Sequence, residues 1–225
     1  IDELVAEKIV TILGEAEKPV LYVGGGVMLA QAYKELAEFS DFMTIPVAHS
    51  LMGKGVVPDD HPMVLGMTGF TAYGGILHIG ALKDGEQVFV STAAGAVGSI
   101  VGQVAKLKGA RVIGIAGGKA KCDWLVNDLG FDGAIDYKNE DVGAALDRLC
   151  PNGVDVNFEN VGGDIMDAVF NRMNNFARMP LCGMISTYND DDRPSGPTDF
   201  SRILMHRLTV RGFIITDFLP RAAEA

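Results

Sequence analysis

The sequence has little of what marks secreted, metal-binding, membrane or nucleic-acid-binding proteins. Its three cysteines, Cys122, Cys150 and Cys182, are an odd number without the spacing of metal ligands, so we expect reduced thiols and no metal site. Basic residues number 19 against 29 acidic ones, which argues against binding to nucleic acid or to an anionic membrane. No apolar run approaches the ~18 residues of a membrane span, and a signal-peptide pattern is absent. We therefore expect a cytoplasmic protein.

Glycine, in contrast, is abundant. It supplies 28 of the 225 residues, against a usual share of about 7%, and it follows no collagen-like repeat. The 48% of hydrophobic and 21% of charged residues are typical of a packed globular protein. We expect the glycines to mark turns and close approaches of the backbone.

Short apolar strands alternate with helical patterns along most of the chain. The run Val20–Val23 precedes Gly24–Gly26, a helical pattern follows, and Ile45–Ala48 predicts a second strand. Residues 49–69 are irregular and predict a surface loop. Six further strands, with helices between them, are predicted at residues 87–91, 111–116, 133–137, 154–158, 178–185 and 208–216.

This alternation predicts an α/β fold with a doubly wound, mostly parallel, Rossmann-like sheet of about eight strands and helices on both faces. We expect the two N-terminal strands to extend one edge of the larger sheet. The segment Asn189–Pro197 is rich in Asp, Pro and Gly and predicts a mobile loop.

The segment QVFVSTAAGAVGSIVGQVAKLKG has the order strand, glycine turn, helix. Gly95 and Gly98 stand at the second and third glycine positions of the dinucleotide fingerprint, whereas Ala93 stands at the first. The N-terminus of the helix supplies N–H groups and a partial positive charge for a pyrophosphate. The pattern predicts a dinucleotide site, with a purely structural turn as the alternative.

The end of the next strand indicates which dinucleotide to expect. NAD sites usually place a carboxylate there for the ribose 2′-hydroxyl, but Ile115–Gly118 contains none. Lys119 and Lys121 follow, and a cation suits a 2′-phosphate. We predict NADP(H) in preference to NAD(H), unless both lysines only solvate the start of a helix.

Five runs carry a family resemblance: LGMTGFTAYGG, AAGAVGSIVGQVAKLKGARVIGIAGG, KCDWLVNDLGFDGAIDYK, VDVNFENVGG and CGMISTYN. They resemble the nucleotide-binding domain of zinc-independent medium-chain reductases, such as the prostaglandin, leukotriene and double-bond reductases. The resemblance implies an NADP-binding Rossmann domain over residues 67–225 and NADPH-dependent reduction of activated carbon–carbon double bonds in small enones. It also implies cofactor contacts at Gly95, Ala96, Val97, Gly98, Lys121, Tyr137, Asn160, Cys182, Gly183, Ile185, Ser186, Thr187, Tyr188, Phe213, Ile214 and Ile215.

Some of these residues also have structural interpretations. Asn160 can build a turn, Tyr137 can be an aromatic at a strand end, and Phe213–Ile215 can be strand core. A reductase further needs an acid near the substrate oxygen, for which Tyr73 and Tyr188 are candidates. Helix packing is the alternative for Tyr73, and cofactor contact is the alternative for Tyr188.

The runs EKPVLYVGGGV and IPVAHSLMGKGVVPDDHP lie in residues 1–66 and resemble the central domain of thiamine-diphosphate enzymes such as acetolactate synthase. The resemblance implies a Rossmann-like βαβ segment that holds FAD, ADP or nothing, with Gly24–Gly26 as the place for a nucleotide. Thiamine chemistry is not expected, because the GDG metal motif is absent.

The two resemblances meet near Leu65–Gly69 and predict a chimeric chain, natural or engineered. We expect it to lack the catalytic domain of the reductases, which leaves an inert scaffold as the alternative to a working enzyme. An exposed sheet edge can also pair two chains as a homodimer.

Overall fold

The computed structural model describes residues 3–16, 19–49, 55–57, 64, 66–188 and 196–221. The chain divides into two compact units, one formed by Ile1–Phe70 with Ile215–Ala225 and the other by Thr71–Ile214. Within the described residues, no helix combines the length and the apolar character that crossing a membrane requires.

The first unit contains a short parallel strand pair and its helices. The elements are α1 (Glu3–Glu15), β1 (Leu21–Val23), α2 (Gly25–Ala30), α3 (Tyr33–Met43), β2 (Val47–His49) and a 3₁₀ segment, Ile215–Arg221. In the pair, Leu21 lies opposite Val47. Val23, Val47, Val56 and Val57 form a buried cluster, so this unit has an apolar core of its own.

The expectation that β1 and β2 extend the larger sheet is wrong. The two strands hydrogen-bond to each other and form a separate two-stranded sheet. Each strand has three residues, and their valines pack against Val27 of α2 and Leu36 of α3. Local apolar runs predict strands, but they do not determine which strand a given edge will pair with.

The second unit alternates strands and helices. Helix α4 (Gly66–Tyr73) crosses the division between the units and continues into a π-helical segment, Gly74–Ile79. The elements that follow are β3 (Gln87–Val90), α5 (Ala96–Leu107), β4 (Arg111–Ala116), α6 (Lys119–Asn127), β5 (Gly133–Asp136), α7 (Val142–Leu149), β6 (Val154–Phe158), α8 (Gly163–Phe170), β7 (Met173–Leu181), a 3₁₀ turn Ile185–Thr187, α9 (Ser201–His206) and β8 (Thr209–Gly212).

Six strands of this unit form one parallel sheet in the order β5-β4-β3-β6-β7-β8. The order runs outward in both directions from β3 and β6, as in doubly wound dinucleotide-binding folds. Strand β4 shows that helices cover both faces. Ile113 and Ile115 pack with Leu146 of α7, whereas Gly114 faces Leu125 of α6 and Phe131. The predicted fold class is confirmed.

The strand boundaries differ from the prediction most in β7 and β8, and β8 ends at Gly212 instead of at residue 216. Strand β7 begins at Met173 and ends at Leu181, earlier than the predicted 178–185, and its pairing with β6 is irregular around Val154 and Val156. The asparagines that follow Met173 are poor strand formers, so the sequence hides the start of β7. Of the predicted Asn189–Pro197 loop, residues 189–195 lie outside the described part of the chain.

Candidate functional site

The turn after β3 brings the strand and helix α5 close together. Thr92 has a left-handed backbone with φ 50°, and its carbonyl oxygen accepts a hydrogen bond from Gly95 N at 2.9 Å. A Cβ on Gly98 would overlap Thr92 O and lie 2.9 Å from Ala93 Cα. Gly95 caps α5 without a side-chain hydrogen bond, so the first N–H groups of this helix face the space in front of the turn.

Two cavities lie where β3, β4 and β6 end, at the switch point of the strand order. The larger has a volume of about 530 Å³ and the smaller about 260 Å³, and Thr92, Gly95 and Ile185 line both. The larger cavity is also lined by Ala94, Ile115, Ala116, Gly117, Lys121, Tyr137, Val161, Ile165 and Ser186. The smaller cavity is also lined by Ala96, Val97, Gly98, Asn160, Cys182, Gly183 and Tyr188.

Most of the residues predicted as cofactor contacts therefore lie around these cavities. They are Gly95, Ala96, Val97, Gly98, Lys121, Tyr137, Asn160, Cys182, Gly183, Ile185, Ser186 and Tyr188. They come from five separate parts of the sequence, which the parallel sheet brings to one edge because all its strands end there.

One end of the larger cavity carries a cation and a phenol. Lys121 and Tyr137 both line it, whereas Lys119 forms an ion pair with Asp123 at 2.6 Å. The structure thus agrees with the family resemblance, which names Lys121, and distinguishes it from Lys119, which residue chemistry alone does not. Asp136 lies at the adjacent strand end, where it accepts a hydrogen bond from Gly118 N at 2.8 Å. Hydrogen bonds from Asn139 and from Gly118 N hold the pKa of Asp136 below its usual range.

Asn160 is held from two sides by the end of β3. Its backbone N–H donates to Ser91 Oγ at 2.6 Å, and its Nδ2 donates to Ser91 O at 2.9 Å. The side chain therefore builds the turn between β6 and α8 while the residue lines the smaller cavity. Asn160 therefore both builds a turn and lines a cavity, so its two interpretations do not exclude each other.

The segment after β7 closes the smaller cavity. Tyr188 is 67% exposed, and its hydroxyl accepts a hydrogen bond from Met184 N at 3.3 Å. Burial raises the pKa of Cys182 to about 11, so this thiol stays protonated at neutral pH and is not a nucleophile there. Thr187 Oγ1 donates to Met184 O at 2.9 Å, and Thr187 does not line either described cavity.

Four other predicted residues also lie away from the described cavity walls. The ring of Tyr73 contacts His78 edge-on, with 5.7 Å between ring centroids. Phe213 is buried and packs against Phe158, with 6.2 Å between the ring centroids, as its interpretation as strand core predicts. Ile214 is 67% exposed, and Ile215 belongs to the first unit.

Sequence reasoning missed several residues of the cavity walls. Thr92, Ala94, Gly117, Val161 and Ile165 line the larger cavity but were not among the predicted cofactor contacts, although all except Ile165 lie in the quoted runs. Their position in the sequence could have identified them, because each residue directly adjoins or closely follows a strand that ends at this edge.

The donor set for a metal is also absent from the part of the chain that the structure describes. No group of three or more His, Cys, Asp or Glu side chains there is arranged to hold a metal ion. Structural and catalytic zinc sites need three or four such ligands. The described residues therefore do not fit a zinc ion.

Known proteins match the two parts of the chain separately. Residues 6–78 match the central domain of thiamine pyrophosphate enzymes, and residues 96–224 match the zinc-binding dehydrogenase family. The NADPH-dependent curcumin reductase of Escherichia coli (strain K12) is 46% identical over 167 residues, covering 69% of this chain and 48% of that protein. Prostaglandin reductase 1 of Sus scrofa is 45% identical over 165 residues, covering 71% of this chain and 50% of that protein.

A solved structure agrees with these matches. CurA from Vibrio vulnificus in complex with NADPH is 49% identical, with a TM-score of 0.67, over 71% of this chain and 49% of CurA. The chain thus spans about half the length of the curated relatives it matches. Both predicted resemblances are confirmed, and because residues 96–224 make up more than half of its length, the chain belongs to the zinc-binding dehydrogenase family.

Proposed function

We propose that residues 67–225 bind NADP(H) and form the cofactor module of a reductase of activated carbon–carbon double bonds. The relatives support this proposal, since the Escherichia coli protein is an NADPH-dependent curcumin reductase and the Vibrio vulnificus structure contains NADPH. The observation that carries it is the larger cavity, which joins the glycine turn at Gly95 to Lys121 and Tyr137.

The residues present fit this cofactor. Gly95 and Gly98 let the turn lie close to Thr92, where a Cβ on Gly98 would overlap Thr92 O, and the N-terminus of α5 offers N–H groups and a partial positive charge to a pyrophosphate. Lys121 supplies a cation for a 2′-phosphate, and Tyr137 can donate a hydrogen bond to it. The described residues offer no zinc ligand set, so the proposal uses no metal.

When bound, the nicotinamide supplies the hydride, and the protein supplies orientation and a proton donor. Gly95 and Gly98 admit the phosphates, while Asn160 and Gly183 line the smaller cavity next to them. Tyr188 lies at that cavity and is largely exposed, so its hydroxyl is our candidate to donate a proton to the enolate that hydride addition to a small enone would form. Tyr73 lies against His78 and is the less favoured candidate.

Replacing Lys121 with alanine tests the cofactor preference. We expect the variant to lose about tenfold in affinity for NADPH, because a charge-assisted contact to the 2′-phosphate is removed, while its affinity for NADH stays the same. Calorimetric titration with both cofactors measures this. Lys119→Ala is the matched control, since Lys119 pairs with Asp123, and it should leave both affinities unchanged. Equal wild-type affinities for NADPH and NADH would contradict the preference.

The alternative function is a chimeric scaffold that binds the cofactor without turnover. Two unrelated matches along one chain, over residues 6–78 and 96–224, favour a recombined origin, with a βαβ segment over residues 1–66 joined to the NADP-binding domain over 67–225. NADPH oxidation in the presence of a small enone separates the two functions. Binding with turnover supports the reductase, and binding without turnover supports the scaffold.

We also propose that two copies pair through β8. This strand ends the described strand order of the larger sheet, and all four of its residues are exposed, which leaves one backbone edge open for a second copy. We expect sedimentation analysis to give the mass of a dimer, and Val210→Lys to give a monomer because a charge at an edge opposes pairing. A wild-type monomer at high concentration would refute the pairing.

A further inference from the structure

Three polar side chains are fully buried beneath the wall of the cavities. Ser91, Asn157 and Glu159 have no exposed surface, and they lie at the ends of β3 and β6, where the strand order switches. Buried polar groups are costly unless hydrogen bonds satisfy them. The free-energy cost of burying these three polar groups at this place in the sheet therefore calls for an explanation.

The carboxylate of Glu159 occupies a nest of backbone N–H groups. Its Oε1 accepts from Val161 N at 2.6 Å and from Gly162 N at 2.8 Å. Gly162 and Gly163 have positive φ angles of 80° and 59°, and α8 begins there without a side-chain cap from Gly162. Successive N–H groups of this kind bind anions, and here the carboxyl group of Glu159 fills the position. Burial raises the pKa of Glu159, whereas the hydrogen bonds from Gly162 N and Val161 N favour its ionised form.

The other two side chains tie this nest to the end of β3. Ser91 Oγ lies 3.2 Å from Glu159 Oε1 and accepts a hydrogen bond from Asn160 N. Asn157 Nδ2 donates to Glu159 Oε2 at 3.2 Å, and this orientation leaves Asn157 Oδ1 without a hydrogen-bond partner in the described structure. Asn157 therefore donates a hydrogen bond to Glu159 through its amide nitrogen, while its amide oxygen accepts none in the described structure.

Both residues that follow Glu159 are cavity walls. Asn160 lines the smaller cavity and Val161 lines the larger one. The Glu159 carboxylate therefore holds the part of the backbone that adjoins both cavities. The two N–H groups that it accepts, of Val161 and Gly162, belong to the turn that leads into α8.

We propose that Glu159 is the positioning residue of the NADP(H) site: it holds the Asn160–Val161 wall in place beside both cavities. This inference rests on the proposed function. Glu159 lines neither described cavity, so it acts through the backbone it binds.

Chemical rescue tests the proposal. In Glu159→Ala the nest is empty, so we expect the dissociation constant for NADPH to rise about tenfold and sodium formate, a small carboxylate, to restore much of the loss. Sodium chloride at equal ionic strength should not restore it. Formate should also raise the melting temperature of Glu159→Ala without cofactor and leave that of the wild type unchanged.

A matched control separates positioning from general destabilisation. Asp141 caps α7 by accepting from Ala144 N at 2.7 Å, away from both cavities, so Asp141→Ala should lose thermal stability and keep its affinity for NADPH. If Glu159→Ala does not fold, Glu159→Asp takes its place, because the shorter side chain cannot hold both N–H groups and should weaken binding severalfold.

The outcomes are distinct. NADPH binding by Glu159→Ala or Glu159→Asp at wild-type strength would overturn the positioning role, and so would a loss that formate leaves unchanged. A wild-type protein that does not bind NADPH would overturn the proposed function instead. In that case, the effect of formate on the melting temperature still decides whether Glu159 fills an anion nest.

Discussion

Gly98→Ala is expected to abolish measurable NADPH binding and to lower the free energy of unfolding by about 3 kcal/mol, the upper end for overpacking. The added Cβ would overlap Thr92 O and lie 2.9 Å from Ala93 Cα. These are backbone atoms, which cannot rotate away as a side chain can. Helix α5 would have to move away from the turn that follows β3, and the phosphate cradle would open.

Gly95→Ala is the matched control for the loss of stability only, because Gly95 itself lines both cavities. Its Cβ would lie 3.0 Å from the Thr92 Cγ2 methyl and 3.1 Å from Thr92 O, tight contacts that a small shift of Thr92 relieves. We expect a loss of stability below about 1 kcal/mol, within the range of mild core changes. Denaturant unfolding and calorimetric titration measure both variants. Equal losses of stability at the two glycines would contradict the close approach at Gly98.

Arg178→Ala is expected to lower the free energy of unfolding by about 3 kcal/mol, because it leaves a largely buried carboxylate unpaired. Arg178 and Glu86 have side chains only 15% and 16% exposed. The guanidinium donates to both oxygens of Glu86 and also to Gly80 O at 2.8 Å and Ala81 O at 3.1 Å. It thereby joins β7 to the chain that leads into β3.

The pH dependence of this loss provides a second readout. Burial of Glu86 opposes its ionisation, but hydrogen bonds from Arg178 and from Lys83 N outweigh it and hold the pKa of Glu86 below 4.5. A lowered pKa in the folded state means that the pair stabilises the protein above the usual Glu pKa. This stabilisation is lost as the pH falls through the lowered pKa of Glu86. The difference in the free energy of unfolding between wild type and Arg178→Ala should therefore become smaller in acid.

An exposed ion pair serves as the control. Arg148 binds Glu140 at 2.7 Å, with side chains 60% and 33% exposed, so Arg148→Ala should cost less than about 1 kcal/mol. Unfolding curves at neutral and acidic pH compare the variants. If the difference in the free energy of unfolding between wild type and Arg178→Ala stays constant across this pH range, Glu86 does not contribute through its charge.

The strands around the site could be predicted because parallel strands buried on both faces are continuous apolar runs. Arg111–Ala116 and Val154–Phe158 were placed with their observed boundaries. The start of β7 could not be placed, because its asparagines do not have the pattern of a strand. The pairing of β1 with β2 in a separate sheet was also beyond the sequence, since partner choice depends on packing between distant segments.

The candidate site also has features that the sequence predicts and features that only the tertiary structure shows. The glycine turn at Gly95 and Gly98 follows from local backbone requirements, and these are written in the sequence. Lys121 and Lys119 have the same chemistry and nearly the same position, and the structure separates them, because Lys121 lines the larger cavity whereas Lys119 pairs with Asp123. Phe213 belonged to a predicted cofactor wall, but its packing against Phe158 places it in the core.

The sequence by itself determined the alternating α/β order, the glycine turn and the two family resemblances, because each depends on residues close together in the chain. Only the tertiary structure showed that Glu159 lies buried against the N–H groups of Val161 and Gly162. In the sequence this residue is one carboxylate among 29 acidic side chains. The desolvation and the hydrogen bonds that give it a role arise only when β3 and β6 lie side by side.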